Sequence, residues 1–208
     1  MTTVTGTLSV ESRNERRVTV SRRTRETDVT VTLDLDGDGT TTVETGVGFF
    51  DHLLSSFGHH GLFDLDIHAR GDLDVDEHHT VEDSALVLGA AFAEALGDRA
   101  GIVRFGDASV PMDEALATAV VDVGGRPYAV VDLPFRGERA GELPLQLVEH
   151  AIEAFARTAG ATIHVRGTGR NDHHLAEAAF KALGRALRAA CEPDPRRRGV
   201  ASTKGSLG

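Results

Sequence analysis

The chain has 208 residues, 40% of them hydrophobic, with a formal net charge of -10, ten histidines and one cysteine. That length and apolar content suffice for one or two compact units with a buried core. The acidic balance argues against a general nucleic-acid binder, which carries a basic stripe. No run of about 18 apolar residues is present to span a membrane, and Cys191 has no partner for an internal disulfide, in keeping with a reducing cytoplasm.

Residues 1–15 are polar and show neither an apolar signal core nor a small-residue cleavage site. They are expected to form a flexible extension of a cytoplasmic protein. From Arg16 the pattern alternates, RRVTVSRRTRET and then DVTVTLDLDGDGTTTVET, which predicts antiparallel strands with a turn at DGDG. FFDHLLSSFGHHG has helical spacing of Phe49, His52, Leu53 and Phe57. LFDLDIHARG alternates as a strand, GDLDVDE is an acidic loop, and HHTVEDSALVLGAAFAEALG is a long helix ended by Gly97.

The second half follows the same order. ALATAVVDVGGRPYAVVDLP predicts a hairpin around GGRP, PLQLVEHAIEAFARTAG a helix, and ATIHVRG a strand. NDHHLAEAAFKALGRALRAAC is a second long helix with an Asn-Asp cap. PRRRG at 195–199 is a short solvated basic loop, and the tail GVASTKGSLG is small and polar.

Three short matches mark a duplication. IHARG at 67–71 pairs with IHVRG at 163–167, DHLL at 51–54 with EHAI at 149–152, and HHTVE at 78–82 with HHLAE at 173–177. The predicted fold is therefore α+β. Two ββαβα units, about 16–100 and 101–192, pack helix face on helix face as a sheet–helix–helix–sheet sandwich, with a C-terminal tail to follow.

HHxxE on a helix is a ligand pattern. Positions i and i+4 share a face, while i+1 is rotated by about 100°. His78 can thus act with Glu82, and His173 with Glu177, while His79 and His174 point elsewhere. Pseudo-twofold symmetry then predicts two metal sets. Each takes a His/Glu pair from one repeat and the second histidine of the other, completed by the lone histidines His52 and His150. Such a set suits a borderline ion such as Mn, Fe, Co or Zn. His68 and His164, in the IHxRG strands, are expected to be core residues or to support the ligands from behind.

FFDHLL, GDLDVDEHHTVED, RFG at 104–106, PMDEAL at 111–116, GRP at 125–127, NDHHLAEAAFKALGRALR and STKG at 202–205 together closely resemble the imidazoleglycerol-phosphate dehydratase family, from about Arg16 to the C-terminus. The resemblance implies a hydro-lyase of histidine biosynthesis that eliminates water from imidazole glycerol phosphate to give imidazole acetol phosphate. It implies two Mn²⁺ per active site, which hold the imidazole ring as imidazolate, and trimers that assemble into a shell of roughly 24 subunits.

By the same resemblance Glu26, Glu82 and Glu177 take part in catalysis, with Glu26 the candidate acid/base. The substrate is contacted by Glu26, His52, His60, His78, His79, Glu82, His173, His174, Glu177 and Lys181, and by Arg104, Arg126, Ser202, Thr203 and Lys204. The tail is expected to close over the ligand. Ala201 stands where the family pattern has proline, which predicts a looser tail, and GTGRN before the second HH pair is a shortened loop. Three other readings remain open at this point: a two-metal phosphoester hydrolase, a metal-storage or sensing protein, and a purely structural assembly.

Overall fold

The computed structural model describes residues 6–207; residues 1–5 and 208 lie outside it. The first half runs β1 (Leu8–Asn14), β2 (Arg17–Arg23), β3 (Thr27–Asp34), β4 (Thr41–Glu44), α1 (Gly48–Gly61), β5 (Asp64–Gly71) and α2 (His78–Leu96). The second runs β6 (Phe105–Met112), β7 (Ala115–Asp122), β8 (Tyr128–Asp132), a two-residue hairpin β9–β10 (Arg139–Ala140, Leu143–Pro144), α3 (Gln146–Ala159), β11 (Thr162–Thr168) and α4 (Asp172–Cys191).

Two sheets result, ordered β1-β2-β3-β5-β4 and β6-β7-β11-β8. β3–β4–α1–β5–α2 and β7–β8–α3–β11–α4 are the two ββαβα units. The first is preceded by two further antiparallel strands, β1 and β2, and the second by one, β6. The strands on either side of DGDG and of GGRP do not pair with each other as predicted. β3 and β4 flank β5, and β7 and β8 flank β11, the second member of each pair being parallel to the central strand. Local alternation shows a strand but not its partner, and the central strand arrives only after a helix.

The flexible extension expected over residues 1–15 is corrected from Leu8 onward. Residues 8–14 form β1, antiparallel to β2, with every side chain exposed. An edge strand with no buried face leaves no hydrophobic alternation to read. The first five residues of that expectation lie outside the described residues.

Each sheet turns one face inward. Val29, Val31 and Leu33 of β3 and Leu65 and Ile67 of β5 are buried, as are Ala117, Ala119 and Val121 of β7 and Ile163 and Val165 of β11. α1 and α2 cover the first sheet and α3 and α4 the second. The layers meet where α2 packs on α3 and α1 on α4. Phe57, Phe63, Phe92 and Phe155 close the centre with ring centroids 5.1–6.1 Å apart, and each such pair adds about 0.5–1.5 kcal/mol beyond its area.

The two interlayer crossings depend on a duplicated glycine. Gly89 and Gly184 hold the same place relative to their HH pairs. A Cβ on Gly89 would lie 2.4 Å from the Phe155 carbonyl oxygen, and one on Gly184 would lie 2.3 Å from that of Phe57. Backbone of the facing helix, which cannot rotate aside, stands in the way in each case, and at Gly89 the Thr158 hydroxyl also lies 2.3 Å from the added Cβ. Gly184→Ala is expected to destabilise the fold by about 1–3 kcal/mol, read as a lower urea midpoint at fixed protein concentration. An unchanged midpoint would show that α1 and α4 have room to part.

Candidate metal centre

These crossings bring the histidines together. Asn171 caps α4, its side chain accepting the His173 amide at 3.0 Å, so the helix begins at the HH pair. One turn later Glu177 Oε2 lies 3.2 Å from His173 Nε2. α1, packed across α4, delivers His52 Nε2 to the same oxygen at 3.0 Å. Phe49 stacks beside both rings, its centroid 4.8 Å from that of His173 and 6.2 Å from that of His52. The other oxygen, Oε1, receives Lys181 Nζ at 2.7 Å. Burial on its own pushes the Glu177 carboxyl up, but the Lys181 ammonium and His52 outweigh it and hold the group at about 2. Glu177 is thus kept anionic, as a ligand must be.

The pseudo-symmetric group forms where α2 meets α3. His78 Nε2 lies 3.9 Å from Glu82 Oε2, and His150 Nε2, from α3, lies 3.4 Å from Oε1. The His78 amide donates to Asp76 Oδ1 at 2.8 Å, which fixes the start of α2. Nε2 of His150 is buried and makes no hydrogen bond. A buried ring nitrogen close to a carboxylate and a second imidazole has the chemistry of a donor set for a cation. In each group the three ligand atoms lie within 4.8 Å of one another. Two imidazoles and one carboxylate fit a borderline divalent ion and leave positions for further ligands.

The lone histidine of each repeat lies with the His/Glu pair of the other, an assignment that the sequence left open. His79 and His174 join neither group among the described residues. His79 Nδ1 faces Asp72 at 3.0 and 3.2 Å, and His174 Nδ1 faces Glu114 at 2.9 Å. His174, with backbone amides of the same loop, holds Glu114 down at about 2. Hydrogen bonding to Asp72 raises His79, and the nearby charge of Glu26 adds to this. Glu26 itself sits in the β2–β3 turn, its amide donating to Thr24 Oγ1 at 3.0 Å. His60, at the end of α1, is lowered by burial first and then by the charge of Lys181.

The predicted anion-binding residues gather elsewhere. Arg104, Arg126, Ser202, Thr203 and Lys204 line one open cleft of about 350 Å³ with Phe105 and Gly124. Arg104 has a left-handed backbone (φ 78°). Its guanidinium is held by Asp122 at 2.7 and 2.9 Å, donates to the Ala201 carbonyl, and lies 4.7 Å over the Phe105 ring. Asp122 is also 3.6 Å from Arg126. Lys181 is not part of this cleft within one chain. Just ahead of Ala201, Val200 bridges Ala100 and Gly101 N donates to Gly199 O at 2.9 Å.

His68 and His164 are corrected. Both are exposed on the outer sheet faces, because Ile67 and Ile163 beside them point inward and side chains alternate along a strand. His68 meets Glu44 and Asp66 there. The roles of Asp72, Glu114, Asp122 and the two glycines go unread in the sequence. The glycines alone leave a usable trace, their equal spacing from the HH pairs.

Among the described residues no helix is long and apolar enough to cross a membrane. The family model described as imidazoleglycerol-phosphate dehydratase matches residues 45–187. The imidazoleglycerol-phosphate dehydratase of Methanoculleus marisnigri is 56% identical over 188 residues, covering 90% of this chain and 97% of the relative. That of Methanocella arvoryzae is 54% identical over 192 residues, covering 92% and 100%. Among solved structures, the IGPD of Pyrococcus furiosus superposes with a TM-score of 0.77 at 37% identity, covering 90% of this chain and 99% of that one. The imidazoleglycerol-phosphate dehydratase of Staphylococcus aureus gives 0.74 at 36%, covering 80% and 95%. With a family model over most of its length, relatives above half identity and the same fold in solved members, this chain belongs to the imidazoleglycerol-phosphate dehydratase family of hydro-lyases.

Proposed function

We propose that the chain eliminates water from imidazole glycerol phosphate to give imidazole acetol phosphate, with a divalent ion, manganese by family resemblance, at each His/Glu group. The observation that carries this reading is the pair of cross-repeat groups, His52/His173/Glu177 and His78/Glu82/His150, in a chain that also gathers a cationic cleft. When bound, the metals supply Lewis acidity to the imidazole ring. That ring is the needed electron sink, because the carbon that loses its proton has no adjacent carbonyl.

The chain's own groups do the rest. The hydroxyl on the ring-bearing carbon takes up a proton and leaves as water, the ring's electrons filling in behind it. The C–H bond of the next carbon then breaks, its electron pair forming the C=C bond of the enol and returning the ring's electrons, while the proton passes to a base. The resulting enol gains a proton at carbon to become the ketone. Glu26, unpaired at its turn and near His79, is the candidate to accept the proton. Glu82 and Glu177 hold metal at the reacting centre, and His52, His60, His78, His79, His173, His174 and Lys181 surround the substrate. Arg104 and Arg126, with Ser202, Thr203 and Lys204, bind the phosphate, arginine bidentately and lysine as a compact charge. The tail closes over it.

Among the described residues His79 and His174 stand outside the groups with Nδ1 facing a carboxylate and Nε2 without a hydrogen-bond partner, which favours their serving a metal group on another copy. The outer face of the second sheet supports self-association. Phe105, Leu116, Val120 and Tyr128 are all exposed there, whereas the first sheet presents Thr19, Thr32, Asp66 and His68. Trimers joined through the metals into a shell of roughly 24 subunits follow the family.

The test is turnover of imidazole glycerol phosphate by chelator-stripped protein with and without Mn²⁺, scoring ketone and free phosphate in one tube. Ketone that returns only with metal is expected, and stripping is expected to leave trimers on size-exclusion chromatography, because metal held only by the assembly stabilises it. Free phosphate without ketone would replace this reading by a hydrolase.

A further inference from the structure

The two repeats hold their second histidines by different routes. Glu114 sits at the tip of the β6–β7 hairpin, immediately before β7. Its Oε1 accepts the amides of Arg170 and Asn171 at 3.1 and 2.8 Å, while Oε2 faces His174 Nδ1 at 2.9 Å. The corresponding hairpin of the first repeat, β2–β3, carries Glu26 at its tip, immediately before β3. Yet Glu26 does not bond His79. Asp72, from the loop between β5 and α2, does so with both oxygens.

The strand registers explain the exchange. Ile67 and Ile163 are equivalent, as the first residues of IHARG and IHVRG. Ile67 pairs with Val31, and Ile163 with Val121. Counted back from those partners, the tip glutamate comes two residues later in β6–β7 than in β2–β3. At about 3.3 Å per residue the second hairpin therefore reaches about 7 Å further. It brings Glu114 over the helix start. The first hairpin stops short, and the longer loop before α2 supplies a carboxylate in its place. Among the described residues the Glu26 carboxylate makes no hydrogen bond or ion pair.

We propose that Asp72 and Glu114 are positioning residues with one job, holding His79 and His174 with Nδ1 protonated and Nε2 presented as the ligand atom. The supply of that carboxylate from the loop in the first repeat is what leaves Glu26 free for proton transfer. This rests on the reading that His79 and His174 ligate metal. Carboxylates behind ligating histidines fix tautomer and ring orientation and raise basicity, and their loss typically weakens metal binding about 10–100-fold.

The experiment applies one chemical change at the two hairpin tips. Wild type, Asp72→Asn, Glu114→Gln and Glu26→Gln are stripped, titrated with Mn²⁺ under equilibrium dialysis, and assayed; His68→Gln serves as a control away from both groups. Asp72→Asn and Glu114→Gln are expected to bind Mn²⁺ about 10–100-fold more weakly, with the thermal midpoint of the stripped proteins unchanged. Glu26→Gln is expected to bind Mn²⁺ as wild type does while turnover falls about 10²–10⁴-fold. Wild-type affinity in Asp72→Asn and Glu114→Gln, or loss of metal in Glu26→Gln, would overturn the inference. Wild type that binds no Mn²⁺ at all would instead remove the metal reading beneath it.

Discussion

Glu177→Gln is expected to lose metal from its group and to lower turnover about 10³-fold or more. Glu177 is buried, yet three groups converge on it: His52 at 3.0 Å, His173 at 3.2 Å and Lys181 at 2.7 Å. An amide presents a weaker donor to a cation, and Lys181 and the histidines then face each other with no anion between them. Metal contributes several kcal/mol of transition-state charge stabilisation, and each 1.36 kcal/mol is tenfold in rate. Glu82→Gln is expected to act alike at the other group. Because both groups serve one reaction, the double variant should be little worse than either alone. Metal content per subunit and turnover are measured together. Full metal content with turnover within fivefold of wild type would show that the groups are ion pairs of the fold and not its chemistry.

The largest expected effect on stability is at Asp83. Its carboxylate is 7% exposed. It pairs with Arg22 of β2 and accepts from the hydroxyl of Thr27 at the start of β3. Asp83→Asn leaves the half-buried guanidinium without its anion and is expected to cost about 3–5 kcal/mol, read from urea unfolding at fixed protein concentration. The second repeat has Ala178 at the equivalent position, so an apolar solution is compatible with this fold. The double variant Arg22→Met/Asp83→Ala should therefore recover most of the loss, since a well-packed apolar replacement of a buried pair is often neutral. A loss in the double variant as large as in the single one would mean that the Thr27 bond, not the charge, is what matters. The first repeat has a reason to keep the polar lock: Thr27 follows Glu26, and fixing it fixes the turn that carries the candidate acid/base.

The HHxxE pairs were legible because helix periodicity is local. One turn brings His173 to Glu177 whatever the rest of the chain does. The lone histidines were legible only through the repeat, since nothing near His52 in sequence points to Glu177. Strand pairing was not legible. Alternation in DVTVTLDLDGDGTTTVET shows two strands with a buried face, but their shared partner β5 lies beyond a helix. β1 left no pattern at all, because none of its side chains is buried.

Composition, two kinds of periodicity and an internal repeat were enough to determine the α+β class, the duplication, the helix starts and the His/Glu pairs, because each rests on neighbours within a few residues. The tertiary structure decided what depends on distant backbone. Gly89 and Gly184 set how closely the helix layers approach, and that approach joins His52 to Glu177 and His150 to Glu82. A two-residue difference in hairpin reach decided which carboxylate backs each second histidine. Register and close approach are relations between segments that meet only on folding, and no single stretch of sequence carries them.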